Sequence, residues 1–238
     1  MSGTLLEIVQ DAMAQVGFKT PTSVAGNSST EAETLLALAN RVGNDILKAH
    51  NWQQTQVEGS ITLVMGQQNY PIPSQLLFYS PETMWNRDTR RPVLLALTPS
   101  EWQYYKGWIF IQGLNLRARI QESEIVFEQP IDTVNAGNEI FYEFRTKTWV
   151  DSAGGTPQER FLADDDVSRF DRDLMSSGLV YRIKKQRGLD YQQDQMDFEV
   201  ELRTHMANDN GARTVRMSGP RMPFIGVNVP DGNFAGFS

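Results

Sequence analysis

The sequence predicts an α+β fold with helices towards both ends, a β-rich middle and an extended C-terminal arm. Three observations predict it. Apolar residues recur at helical spacing over about 4–49 and again over 166–210. Between these segments, short β-branched and aromatic runs alternate with turn residues. The final stretch, 212–238, mixes glycine and proline with large apolar side chains.

A first helix is predicted from about Thr4 to Val16. Thr4 and Glu7 fit a capping box, in which hydroxyl and carboxylate each satisfy an orphan backbone N–H. Leu5, Val9, Ala12, Met13 and Val16 share a face, and Gly17 stands where a left-handed cap would end the helix. The polar stretch Lys19–Ser29 reads as a loop. A second capping box at Thr30 and Glu33 opens a helix to about Ala49, with Leu35, Leu38, Ala39, Val42 and Ile46 on one side. The two helices together suggest an α-hairpin.

The period then changes. Strands are predicted at Ile61–Met65, Thr83–Trp85, Val93–Leu97, Trp108–Gln112, Glu124–Glu128 and Glu139–Thr146. Tyr70-Pro71-Ile72-Pro73 is extended, because each proline fixes φ and disfavours helix before it. Turn chemistry falls at Gly66–Asn69, Asn86–Asp88, Gly113 and Asn135–Asn138. One short helix interrupts: Thr98-Pro99-Ser100-Glu101 supplies an N-cap, a proline at the first position and a capping glutamate.

Asp151–Gln158 reads as a flexible connection, and two helices follow. The first, about Asp166–Arg187, carries one stripe of Val167, Phe170, Leu174, Gly178 and Tyr181 and a second of Met175, Leu179 and Ile183. A helix with two apolar faces has two partners, so the second stripe is expected to face a neighbouring subunit. Asp190 can cap the last helix, in which Tyr191, Phe198, Leu202 and Met206 recur at helical spacing. The arm beyond it carries Met222, Phe224, Ile225, Val227, Val229, Phe234 and Phe237. Disordered tails lack such side chains, so the arm is expected to dock. The expected division is 1–52, 53–150, 151–211 and 212–238.

Composition narrows function. The chain has 238 residues, 22 basic and 29 acidic, for a formal net charge of −7. That balance argues against a dedicated nucleic-acid binder, which needs a concentrated basic surface. Without cysteine there is no disulfide, thiolate metal site or cysteine nucleophile. His50 and His205 lie far apart and outside any metal-type spacing. No signal peptide is read in MSGTLLEIVQ, and no apolar run approaches the ~20 residues that span a bilayer.

The remaining chemical candidates have structural accounts. Asp164-Asp165-Asp166 could be a metal or acid/base site, but acidic residues at a helix start are ordinary capping. Lys184-Lys185-Gln186-Arg187 could touch phosphates, but suits a helix C-terminus. Arg87, Arg90 and Arg91 read as hairpin charge. Trp52, Trp85, Trp102, Trp108 and Trp149, with Tyr104 and Tyr105, could form a stacking platform, but aromatic residues more often fill cores and interfaces. No phosphate loop, GxSxG elbow or HExxH motif occurs. The expectation is a protein without catalytic residues, metal or cofactor.

The order of parts resembles the head-to-tail adaptor (connector, tail tubular protein A-like) family of short-tailed bacteriophages. The resemblance rests on a helix closing in Asp45-Ile46-Leu47-Lys48-Ala49-His50-Asn51-Trp52, then on Asn69-Tyr70-Pro71-Ile72-Pro73 and a β-rich middle. It continues with Phe161-Leu162-Ala163-Asp164-Asp165-Asp166 before a helix pair containing Gly178-Leu179-Val180-Tyr181-Arg182 and Gly188-Leu189-Asp190-Tyr191. It covers about residues 4–210. It implies a helical bundle from the N- and C-terminal helices with the β region inserted between them. It also implies a virion structural protein, made in the host cytoplasm and placed at the head–tail junction. The implied ring has twelve subunits, between the portal protein and a tail nozzle or fibre-bearing protein. DNA would leave through its channel without specific binding. A tail or baseplate component with glycan-binding or peptidoglycan hydrolase activity is the alternative.

Overall fold

The structure, a computed structural model, describes residues 2–80, 82–95, 98–107 and 115–209. In chain order these form β1 (Ser2–Thr4), α1 (Leu5–Val16), α2 (Thr30–Ala49), a 3-10 turn (Gln53–Thr55), β2 (Gln56–Thr62), β3 (Asn69–Pro71) and β4 (Leu76–Tyr79). Then come β5 (Trp85–Asn86), β6 (Arg91–Pro92), β7 (Leu94–Leu95), α3 (Pro99–Gly107), β8 (Arg117–Gln121), β9 (Glu124–Phe127) and β10 (Glu139–Thr146). The chain closes with β11 (Val150–Asp151), β12 (Pro157–Gln158), β13 (Val167–Asp171), α4 (Arg172–Gln186) and α5 (Gln192–Asp209). The fold is mixed α+β, with three sheets dominated by antiparallel pairs. The chain divides into two compact units, one from residues 2–56 with 145–209, the other from 57–144.

In the first unit α1 begins as its sequence dictates. Thr4 Oγ1 accepts from Glu7 N at 3.3 Å, Glu7 Oε2 accepts from Thr4 N at 3.0 Å, and Gly17 closes the helix at φ 81°. A side chain at that φ would strain, which is why glycine ends the helix. α2 is capped one residue earlier than expected, by Ser29 Oγ accepting from Ala32 N at 3.2 Å. At its far end Trp52 Nε1 donates to Ile46 O at 2.7 Å, satisfying a carbonyl that the helix leaves orphaned. α1 and α2 do not form the expected α-hairpin; each packs mainly on α4.

Two expectations for the C-terminal half are corrected. The helix predicted from Asp166 starts only at Arg172, with Asp171 as its cap accepting from Asp173 N at 3.0 Å. Val167–Asp171 is instead a strand, hydrogen-bonded on one side to β1 and on the other to β11. Its alternating burial puts Ser168 and Phe170 inward. Asp151–Gln158 is the hairpin of β11 and β12, turning through Gly155 at φ 78°. This unit is therefore helices packed with a four-stranded sheet ordered β1-β13-β11-β12. An aromatic chain joins them: Trp52 tilts on Phe170, Phe170 stacks on Trp149 at 5.9 Å, and Phe161 meets Trp149 edge-on at 5.1 Å. Each such fully buried side chain contributes roughly 1.5–3 kcal/mol.

The second unit holds two sheets. One is ordered β2-β10-β5-β6, with β4 also on β10; the other is ordered β3-β9-β8-β7, with β7 and β8 parallel. Their core includes Leu63, Tyr70, Met84, Ile125, Phe127, Ile140, Tyr142 and Phe144. The first strand lies earlier than expected, at Gln56–Thr62 rather than Ile61–Met65. β4 and β8 were not anticipated, and the predicted strand Trp108–Gln112 lies outside the described residues. α3 keeps its capping box: Thr98 Oγ1 accepts from Glu101 N at 3.2 Å, and Glu101 Oε2 accepts from Thr98 N at 3.0 Å.

Candidate functional site

The first unit is organised around α4. Leu174, Met175, Gly178, Leu179, Val180 and Ile183 are buried along it, and α1, α2 and α5 all pack against it. Gly178 makes this possible. A Cβ there would stand 2.7 Å from Val42 Cγ1 and 2.9 Å from Phe198 Cε2, so α2 and α5 approach only because the side chain is absent. The subunit interface expected from Met175, Leu179 and Ile183 is thereby corrected. These residues are 0%, 0% and 2% exposed within the single chain. The second partner that a two-faced helix requires is another helix of the same chain.

Cations on α4 fence that core. Arg172 pairs with Asp11 and Glu7 on α1, Arg182 and Arg187 pair with Asp45 and Glu31 on α2, and Lys184 pairs with Asp194 on α5 at 2.7 Å. The hydrogen bond and charge of Asp11 hold the Arg172 guanidinium above its usual range. Lys185 lies 5.2 Å from the ring centroid of Tyr191, and Arg187 lies over Phe18 at 4.4 Å. Each cation of the run 184–187 thus has a partner within the unit, with Lys185 and Arg187 on the surface. Arg87, in the other unit, pairs with Glu58 and covers the Phe141 ring at 3.7 Å.

The acidic run 164–166 is structural, but not as a helix start. Asp166 is 2% exposed, and its Oδ2 accepts from Leu162 N at 2.6 Å and Ala163 N at 2.8 Å. Asp164 Oδ1 accepts from Val24 N at 2.9 Å and Ala25 N at 2.7 Å. Two carboxylates therefore tie their own loop and the 19–29 loop to each other through charge-assisted bonds. Among the described residues no group of three or more acidic, histidine or cysteine side chains is placed to hold a metal ion.

His50 lies at the C-terminal end of α5, and His205 lines a cleft near that end. His50 Nε2 stands 3.4 Å from Asp209 Oδ2, and Asp209 also accepts from Gln53 N at 3.1 Å. The 3.4 Å approach lacks hydrogen-bond geometry, since Nε2 is buried and unsatisfied. Beside this cluster a cleft is lined by Trp52, Arg169, Asp171, Leu174, His205 and Asn208. Arg169 is held there by a fork on Asp151, at 2.9 and 2.6 Å. None of these groups forms a nucleophile–base pair.

Other candidates are dispersed. Trp52, Trp102 and Trp149 are buried, so none is presented as a platform, and Trp108 lies outside the described residues. The docking-arm residues Met222, Phe224, Ile225, Val227, Val229, Phe234 and Phe237 also lie outside them. Burial lifts the phenols of Tyr79, Tyr142 and Tyr181 above their ordinary range. Among the exposed large apolar side chains, two groups were concealed by the sequence pattern. In the second unit these are Val64, Met65 and Val134, on loops joined by Gly66 N donating to Ile131 O at 2.8 Å. In the first they are Met196 and Val200 on α5, at 59% and 61% exposure. No helix among the described residues is long and apolar enough to cross a membrane. Compared with known proteins, the sequence matches no protein-family model and no curated protein.

Proposed function

We propose that this chain is a virion structural protein: a head-to-tail adaptor that forms a ring between the portal protein and the tail nozzle of a short-tailed bacteriophage. In this reading α1, α2, α4 and α5 are the bundle, the 57–144 unit is the inserted β region, and 212–238 is the extended arm. The observation that carries it is the assembly of one compact unit from residues 2–56 and 145–209 around α4, while the intervening sequence 57–144 forms a separate β-rich unit. The sequence resemblance rests on this order of parts. The ring, of twelve copies, continues the channel through which DNA leaves. With most α4 cations engaged by carboxylates and a formal net charge of −7, such a wall holds phosphates weakly. The arm docks on the portal or on an adjacent subunit, where extended segments gain affinity from side-chain pockets at an ordering cost.

The test is the mass of the purified protein with and without a portal ring, with negative-stain images of the mixture. The expected result is a monomer alone and a stoichiometric ring on the portal. No association at any salt concentration would remove the portal as partner.

A further inference from the structure

α5 is attached thinly for its length. Of its eighteen residues Phe198 alone is buried. Lys184–Asp194, Ser177–Glu201 (2.6 Å) and Gln53–Asp209 add polar ties. The opposite face carries Met196 and Val200, one turn apart and both more than half exposed. The helix is also acidic, with Asp194, Asp197, Glu199, Glu201 and Asp209 against Arg203 alone among its lysines and arginines. An apolar stripe bordered by carboxylates asks for an occupant that is apolar and basic.

The chain supplies one immediately beyond the helix. Asn210-Gly211 is a pair suited to reversing direction. Arg213, Val215, Arg216, Met217, Arg221, Met222, Phe224 and Ile225 then follow, with no acidic residue before Asp231. Met196 lies about 20 Å back along α5 at 1.5 Å per residue, a distance that about six extended residues cover. We propose that residues 213–225 of the same chain dock on this outer face of α5. Val215, Met217 and Met222 cover Val200 and Met196, and the arginines face Asp197 and Glu199. The own chain, rather than a second copy, is the source because a three-residue connection holds the segment at millimolar effective concentration. This assignment does not depend on the ring or on the portal. It means that the arm is sheathed on α5 until a partner takes it.

Trypsin tests it on the full-length protein, since Arg213, Arg216 and Arg221 are cleavage sites within the segment. Cleavage there should be about tenfold faster in the double variant Met196→Asp, Val200→Asp than in wild type, following the undocked population. Both positions are exposed, so the melting temperature should not move. Glu199→Lys, which repels the arginines without touching the apolar stripe, should accelerate cleavage in the same direction. Met65→Asp, on the other unit, should not. Wild-type protection should be independent of protein concentration. Equal rates in all four proteins would overturn the docking. Protection that grows with protein concentration would assign the segment to another copy and overturn the own-chain assignment.

Discussion

Gly43 on α2 lies directly against the six-membered ring of Trp149. A Cβ at Gly43 would fall inside the van der Waals envelope of Cη2, Cζ3 and Cζ2. Trp149 cannot move aside, being 0% exposed and held between Phe161 and Phe170. Gly43→Ala gains about 1 kcal/mol of helix propensity. Overpacking costs roughly 1–3 kcal/mol, and with three ring atoms in the way the upper end wins. Urea unfolding should therefore show a lower midpoint. In a Trp149→Leu background the same substitution should be neutral or stabilising, and the coupling in that cycle measures the contact.

Leu179 separates a core role from an interface role. Buried between α4 and its neighbours, Leu179→Ala should cost about 2–5 kcal/mol of monomer stability. Calorimetry of the isolated protein reads this directly. A variant that keeps full monomer stability while losing only self-association would return the residue to a subunit interface.

Asp164 is expected to act as a clamp. Asp164→Ala leaves Val24 N and Ala25 N without their acceptor and should cost about 1–3 kcal/mol. Asp164→Asn, which retains one acceptor oxygen, should cost less. Millimolar magnesium or calcium should leave the wild-type melting temperature unchanged; a rise would reveal a cation site in the acidic run.

The tyrosines set a limit at high pH. Tyr79, Tyr142 and Tyr181 ionise later when folded, because burial disfavours the phenolate. Above the unfolded value near ~10, the native state keeps protons that the unfolded chain has released. Their contribution is therefore intact below that pH and is lost as pH rises through the folded values. Absorbance titration should show part of the tyrosine signal appearing late and together with unfolding.

Much of this was legible wherever local chemistry acts alone. Thr4 with Glu7, Gly17, and Thr98 with Glu101 each announce a helix end through bonds made within a few residues, and the structure contains all of them. The reading failed where an apolar spacing served two periods. Val167, Phe170 and Leu174 sit three and four apart, as on a helix, yet the first two belong to a strand, and Asp171 rather than Asp166 is the cap. β11 and β12 are two residues each, too short for alternation to register, so their hairpin resembled a linker. The apolar patch on α5 was concealed because Met196 and Val200 fit a helical pattern equally well facing inward. Only the burial of Phe198 shows which face is spoken for.

The joining of α1 to α4 also fixes an order of events during synthesis. The two helices are about 160 residues apart in the chain, so α1 waits roughly 8–32 s at translation rates of about 5–20 residues per second before α4 exists, and α2, about 120 residues from α4, waits roughly 6–25 s. The 57–144 segment is continuous in the chain and has no such wait. The β-rich unit can mature first, while Leu5, Ile8, Val9, Leu35 and Ile46 stand uncovered beside the ribosome. Chaperone dependence during expression should accordingly track the apolar faces of α1 and α2, and a ribosome stalled just before α4 clears the exit tunnel should hold a finished β unit and two orphan helices.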